Sequence, residues 1–435
     1  MAGLLVSTTN AQTPTGHADT VSRQEYDAAF RAMMANPSDL DLTLRYAELA
    51  IVVGDLEGAI GAYESLLLLN PDLPRVRLAL GELYLKLGST AAARSYLEAA
   101  RDNPAAPAET RQRAVTILAP LDQSSGGGRF AGYLQLGGNW QSNANNGAAA
   151  TQVRSFGVSV AVPRNAEKLP DFGTELSGDL GYYFGVGGEA GTVLESHARF
   201  YLSRQGRATN VNLGVLQIDT GPRIPFEVGG QGASMRPYLT AGLIGLADRL
   251  YQWNGGGGIG LTAPFGDKWS VDADISDRGQ FYTNSLSQPT ASAANGATYD
   301  ASAVISFSPN LNDTLRAGPS VEVLDAQSAG QRYQQYGVQA GWQHSFADPT
   351  GWWGRAWSFD VAGNRLWRDY AGPDLTVDPV IVRADREWNL EASLTVPVSD
   401  AWMLIGDVSQ QWVTSNLSNY RFDNTTISLS IGLRF

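Results

Sequence analysis

Beyond residue 128 the chain repeats one pattern, and that pattern constrains its fold more than any other feature. Segments of roughly 10 to 15 residues place an apolar residue at every second position, with polar or charged residues between. Trp388, Leu390, Ala392, Leu394 and Val396 alternate with Asn389, Glu391, Ser393 and Thr395. Trp269, Val271, Ala273 and Ile275 alternate in the same way with Ser270, Asp272, Asp274 and Ser276. Clusters of Gly, Asn, Pro and Asp separate the segments. A period of two is the period of a strand, whose successive side chains point to opposite faces. Such strands build either a sandwich with its apolar face inward or a membrane barrel with its apolar face toward lipid and a polar lumen.

Three observations favour the membrane barrel. The segments match the roughly 9–11 residues that a tilted strand needs to cross the hydrocarbon. Trp140, Trp253, Trp357, Trp367, Trp402 and Trp412 fall near segment ends, as interfacial girdles require. Short connections such as Ser399-Asp400 alternate with longer ones. Fifteen segments can be marked as strands, the second at 151–163, yet a barrel whose two ends lie on one side needs an even number. The expectation is therefore an antiparallel barrel of 14 or 16 strands over residues 129–435, with the ambiguity placed between residues 219 and 253. Sixteen requires a further crossing near Pro225 to Gln231, whereas fourteen requires one segment in that stretch not to span.

Residues 20–121 follow a helical period instead, and they repeat. Asn36-Pro37 recurs at Asn70-Pro71 and again at Asn103-Pro104. Gly54, Ala59 and Tyr63 correspond to Gly88, Ala93 and Leu97, and the second unit carries Leu80-Gly81-x-x-Tyr84. This spacing is the tetratricopeptide signature, in which small residues let two antiparallel helices pack closely. Two full repeats are visible, preceded by a half-repeat and followed by a capping helix at 109–118. Such arrays usually present a concave surface to a protein or peptide. In this frame Asp41, Glu48, Arg75, Leu78, Glu82 and Lys86 point to the groove as candidate partner-binding residues, or else they are solvated helix charges.

Residues 122–128 read as a short linker, Asp-Gln-Ser-Ser-Gly-Gly-Gly. Residues 1–19 read as a truncated secretory signal or a disordered tail, because the short apolar stretch lacks a basic segment before it. There are no cysteines, so disulfides and thiolate metal sites are excluded. A net charge of −12 without a basic run argues against nucleic acid as a partner.

Candidate chemistry is sparse. The three histidines, His17, His197 and His344, show no metal-ligand spacing. His344-Ser345 with Asp348 nearby lacks the remaining parts of a serine hydrolase, so no enzyme is expected and no cofactor is called for. Gly255 to Gly258 precede a strand rather than a helix, which fits close strand packing better than a phosphate loop. By alternation the lumen receives Glu175, Asp179, Glu195, His197, Arg199, Asp272, Asp274, Arg316, Glu322 and Glu391. These form either a hydrated ion-pair lattice bracing the wall or a selective conduit, which the paired acids would bias toward cations or neutral sugars.

The last strand ends Ile427, Leu429, Ile431, Leu433, Phe435 at alternate positions. It resembles the signal by which bacterial outer-membrane barrels engage their assembly machinery. That resemblance implies a Gram-negative outer membrane, with its lipids and the barrel assembly machinery as partners and the repeats in the periplasm. The combination of a few repeats, a glycine linker and a barrel resembles the surface lipoprotein assembly modulator family. The run Gly137-Gly-Asn-Trp-Gln-Ser-Asn-Ala-Asn145 resembles the D-S-N-x-N run near the barrel start of that family, with Gln141 in place of the acid. Membership would imply a fourteen-stranded barrel that helps lipoproteins reach the cell surface, with repeats that engage substrate or helper proteins. The architecture is also similar to exopolysaccharide exporters, which usually have sixteen strands and many more repeats and would make a polysaccharide the partner. A diffusion porin with an accessory scaffold is the third alternative.

Overall fold

The computed structural model describes residues 16–103, 105–123, 128–187, 191–285 and 288–435. Residues 1–15 and 124–127, within the stretches read as tail and linker, lie outside these. Helix α1 (Gly16–Ala35) already begins inside the stretch read as tail, and α6 (Ala108–Gln123) runs into the stretch read as linker. Between them lie α2 (Leu40–Val53), α3 (Leu56–Leu69), α4 (Pro74–Lys86) and α5 (Thr90–Arg101).

Local chemistry sets the helix ends. The Asp39 carboxylate accepts the N–H groups of Asp41 and Leu42 at the start of α2, as an N-cap should. Gly54, at φ 85°, takes the left-handed conformation that ends it. Asp55 then caps α3 through the Gly58 N–H, so α2 and α3 turn back on each other within two residues. In the next pair Gly81 faces Leu97 so closely that an added Cβ would lie 2.5 Å from its Cγ. Ala47, Ala50, Ala59, Leu66 and Leu80 are fully buried in the resulting core.

Fourteen strands then close into an antiparallel barrel. They are β1 (Arg129–Gln141), β4 (Asp171–Gly187), β5 (Thr192–Gln205), β6 (Leu213–Val228), β7 (Gln231–Leu246), β8 (Arg249–Phe265) and β9 (Trp269–Tyr282). There follow β10 (Gly296–Phe307), β11 (Asp313–Ala326), β12 (Tyr333–Phe346), β13 (Trp357–Pro373), β14 (Val382–Pro397), β15 (Trp402–Ser415) and β16 (Phe422–Arg434). Each pairs with its neighbour in sequence, and β16 pairs with β1, so the barrel has no open edge.

The even count agrees with the sequence reading, but its source was misplaced. Segment 151–163 does not span. It is a separate two-stranded hairpin, β2 (Gln152–Ser155) and β3 (Val158–Ala161), outside the barrel. Its four-residue strands are too short to cross, and Gly157 turns back at φ 80°. Nor does a further crossing lie near Pro225 to Gln231: Gly229 and Gly230, both at positive φ, make a two-residue turn between β6 and β7. Strand β6 instead continues into the stretch held ambiguous, as far as Val228.

The turns at 229–230, 266–268 and 398–401 share one end of the barrel with the helices, and the loops at 142–170, 283–295 and 374–381 share the other. Leu136, Phe172, Leu239 and Leu429 are each at least 61% exposed on the outer wall, which only a lipid surround satisfies. Stacked pairs Trp253–Phe281 and Trp269–Phe307 mark the two girdles. In the far girdle Val338, Arg365, Trp388 and Trp412 stand opposite one another on consecutive strands. At that level an arginine facing lipid costs about 0–1 kcal/mol, against about 2–4 at the membrane centre.

At its far end the β1–β16 seam is fixed by the run that carried the family resemblance. Asn143, fully buried, donates its side-chain N–H groups to the carbonyls of Gly147 and Asp423, both at 3.0 Å. Its side-chain oxygen accepts the Gly147 N–H at 2.8 Å, and its backbone N–H donates to Asn424 at 2.9 Å. The β2–β3 hairpin then lies over the late loops. Phe156 and Gly157 donate to the carbonyls of Thr376 and Val377, and Arg154 pairs with Asp378 at 2.6 Å.

Candidate functional site

The opening at the helix-side end of the barrel is occupied by the repeats. The second and third Asn-Pro corners begin with an Asn whose side chain accepts the N–H two residues on: Asp72 to Asn70 at 3.0 Å and Ala105 to Asn103 at 2.9 Å. Asn103 also donates to Asp72 at 2.9 Å, joining the two corners. The joined corner reaches into the barrel. Asn103 lines a cavity of about 460 Å³ against lumen-facing residues of β1, β4, β5, β6, β8 and β9. It lines a second, of about 150 Å³, against residues of β12 to β16. One side chain thus borders opposite walls.

Helix α6 completes the closure. Val115 packs on Val193 of β5 with Tyr183 of β4, and Arg101 lies 5.5 Å above the Tyr183 ring. Glu98 pairs with Arg129 at the start of β1. On the other side Leu311, in the β10–β11 turn, packs into the helical core.

These contacts use part of the expected partner groove. Arg75 lines a crevice against the turn at 308–314, where burial pulls its guanidinium below the ordinary value. Burial pushes the Glu109 carboxyl up. Glu82 pairs with Arg113 of α6 at 2.9 Å. Leu78 is half-buried, whereas Asp41, Glu48 and Lys86 are exposed. The six residues therefore divide between a solvent face and an internal contact.

All ten residues assigned to the lumen occupy inward positions of their strands, but they do two different things. On β4 to β7 the charges are paired. His197 stands 2.8 Å from both Asp179 and Glu195; Arg199 reaches Asp219 at 2.7 Å; Arg223 reaches Glu195 at 2.6 Å; Arg236 meets Asp219. This is the bracing lattice. Arg316 joins Asp360 at 2.7 Å, and Glu322 accepts from Tyr333. Asp272 and Asp274 are held by hydroxyls, Thr262 at 2.8 Å and Tyr238 at 2.9 Å. Gly258 leaves the space that lets Tyr238 reach across β8: an added Cβ would lie 2.5 Å from its hydroxyl oxygen.

The wall beside this lattice, around the β1–β16 seam, is acidic. Glu175, Glu391 and Asp407 line a cavity of about 530 Å³ with Gln135, Asn139 and Tyr201, and among the described residues no arginine or lysine borders it. Sequence reasoning missed Asp407, although Ile405-Gly-Asp-Val-Ser409 carries the same alternation. It missed Asp219 and Arg223 because they fall in the stretch from residue 219 to 253 whose strands were left ambiguous. Arg101 and Tyr183 became a pair only through docking, for which neither segment carries a signal.

His344 and Ser345 do not come together. His344 faces outward and bonds Asp313 at 2.9 Å, while Ser345 faces the lumen; adjacent strand residues cannot act together. Among the described residues no group of three or more His, Cys, Asp or Glu could hold a metal ion.

The sequence profile of the surface lipoprotein assembly modifiers matches residues 224–435, and a tetratricopeptide profile matches residues 53–109. No curated protein matches the chain. Among solved structures, a loop-deletion mutant of the outer-membrane protein OmpT of Vibrio cholerae is 8% identical, covering 71% of this chain and 99% of that one, at a TM-score of 0.39. The outer-membrane channel DcaP of Acinetobacter baumannii is 9% identical over 71% and 97%, also at 0.39. The type III secretion translocator chaperone SycD of Yersinia enterocolitica is 18% identical over 26% and 79%, at 0.24. These scores are too low to carry an inference.

Proposed function

By its barrel the chain belongs to the surface lipoprotein assembly modifier family, and from that premise we propose that it helps deliver a lipoprotein, or another protein partner, across the outer membrane, with the periplasmic repeats receiving that partner. The observation that carries this reading is the seat of the repeats. The Asn103 corner borders both walls of the lumen, so cargo entering the barrel from the periplasm has to meet the helices first. The exposed part of the groove, Asp41, Glu48 and Lys86, offers that cargo charged contacts. Arg75, set against the turn at 308–314, belongs to the contact that holds the repeats in place until it arrives. The barrel supplies a route, and the repeats determine which proteins gain access to it.

Binding and positioning account for all of this. Neither a cofactor nor a covalent step enters the reading. The barrel assembly machinery and lipids act on the chain itself, through the terminal strand and the apolar wall.

The second reading, a polysaccharide conduit, draws on the neutral and acidic lumen wall around Glu175, Glu391 and Asp407. Its usual sixteen strands disagree with the fourteen seen here. The two readings separate in a strain that displays a lipoprotein on its surface. Removing this chain is expected to leave that lipoprotein made and lipidated but shielded from external protease. Undiminished surface exposure, or loss of a secreted polysaccharide instead, would overturn the lipoprotein reading.

A further inference from the structure

Arg365 faces the bilayer. On β13 it stands opposite Trp388 of β14, and one pair further out Trp367 stands opposite Arg386. Two arginines and two tryptophans thus make a two-by-two block on the outer wall, with the arginines on a diagonal. Diagonal neighbours across an antiparallel pair lie about 7–8 Å apart, a span that one phosphate can bridge through two guanidinium groups. The Arg365 guanidinium carbon lies 5.0 Å from the Trp388 ring centre and 5.4 Å from that of Trp367. The two indoles hold it along the wall.

The charges do not balance within the protein. Arg386 donates to Asp369 at 2.9 Å. Among the described residues no carboxylate stands within 4.0 Å of Arg365. Two arginines against one aspartate leave one positive charge on a wall that faces lipid. On the luminal wall, by contrast, Arg199, Arg223, Arg236, Arg278 and Arg316 each have an acidic partner. A cation facing the membrane is retained where an anion or headgroup answers it, and tryptophans collect at the headgroup level. The planar fork of arginine matches phosphate oxygens in pairs.

We propose that Arg365 and Arg386, framed by Trp367 and Trp388, bind the phosphate of an anionic lipid in the outer leaflet. Depth supports a lipid as the source of that phosphate. Arg365 shares the girdle row with Trp388 and Trp412, where a headgroup phosphate sits while its acyl chains lie along Leu390 and Val361 below. This site needs only the membrane-spanning barrel and does not depend on what the repeats bind.

Native mass spectrometry of the full chain, in a detergent that preserves lipid adducts, tests the proposal. The probes are a bisphosphorylated lipid A, the same lipid stripped of both phosphates, and inorganic phosphate as competitor. The unsubstituted chain is expected to hold one bisphosphorylated lipid with at least fivefold preference over the stripped lipid. Arg365→Gln is expected to abolish that preference, and Arg365→Lys, which keeps the charge but not the fork, to retain part of it. Equal retention of the two lipids by the unsubstituted chain would overturn the proposal, whatever the variants do. Full preference in Arg365→Gln would also overturn it. Displacement by millimolar inorganic phosphate would overturn the lipid as the source of the phosphate.

Discussion

Replacing Asn143 with alanine tests whether the seam is latched as described. The substitution removes three side-chain hydrogen bonds, to the carbonyls of Gly147 and Asp423 and from the Gly147 N–H. Only the backbone bond to Asn424 remains. Each bond contributes about 1 kcal/mol net, and a buried partner left unsatisfied costs about 1–3. The site is closed in the native fold, but it lies at the rim, where water can enter once the loop loosens. The expected loss is therefore near the sum of the bonds, about 3 kcal/mol, rather than the larger desolvation limit. For a barrel of about 300 residues that corresponds to a fall of roughly 4–5 °C in the unfolding midpoint. The shift between folded and unfolded bands on a gel, followed against heating temperature, reports it. Asn145→Ala is the internal comparison: its bonds to Glu167 and Leu169 close the loop on itself and do not touch β16, so the midpoint should move less than half as far. A change of under about 1 °C for Asn143→Ala, or equal changes for the two, would show that the seam does not depend on this side chain.

Deleting Phe435 is expected to lower the outer-membrane level several-fold while the repeats still fold. Its N–H and C=O both pair with Gly132 near the start of β1, and an unchanged membrane level would refute its role in assembly. The Asp378 carboxyl is held below the usual range by the N–H groups of Val380 and Ile381 and then by Arg154. A depressed carboxylate value stabilises above the unfolded value, about 3.9, and that support is lost as pH falls through the folded one. Protease cutting of the 142–170 loop should hence be constant at pH 5 and rise below about pH 4; a flat profile would count against the Arg154–Asp378 tie. A disulfide between Val115→Cys and Val193→Cys, which replaces a native packing contact in a chain without other cysteines, should fix the repeats in the mouth. Surface delivery of lipoprotein is expected to stop under oxidation and return on reduction; delivery by the oxidised form would show that cargo does not displace the repeats.

Legibility differed from one part of the chain to another for physical reasons. Alternation in segments such as Trp388–Val396 identified the barrel because each strand has to satisfy lipid and water at once. The helical repeat was readable from Gly81 and the Asn-Pro corners, where close packing admits few residues. The hairpin at 151–163 misled because Phe156, Val158, Val160 and Val162 alternate like a spanning strand, and only its turn at Gly157 reveals that it folds back. Inward positions such as Glu195 and Arg199 followed from parity alone. Their partners did not, since register between strands is absent from any one segment. The docking of the repeats was illegible, because Asn103, Val115 and Arg101 are ordinary residues for such helices and their significance arises from what stands opposite.

The Asn143 latch also bears on the order of folding. It joins residues 281 positions apart in the chain, and loop closure over such a distance is an event of low probability until the intervening strands have paired. The helices, by contrast, fold from contacts between neighbours. Each strand from β4 to β15 can add to the one before it, whereas the pairs between β1 and β16 have no nearby partner to nucleate them. Before the seam closes, both strands present unpaired edges, and in that interval the barrel is most exposed to wrong pairing. A bond set that forms only when the first and last strands meet in register rewards the single correct closure and none of the slipped ones.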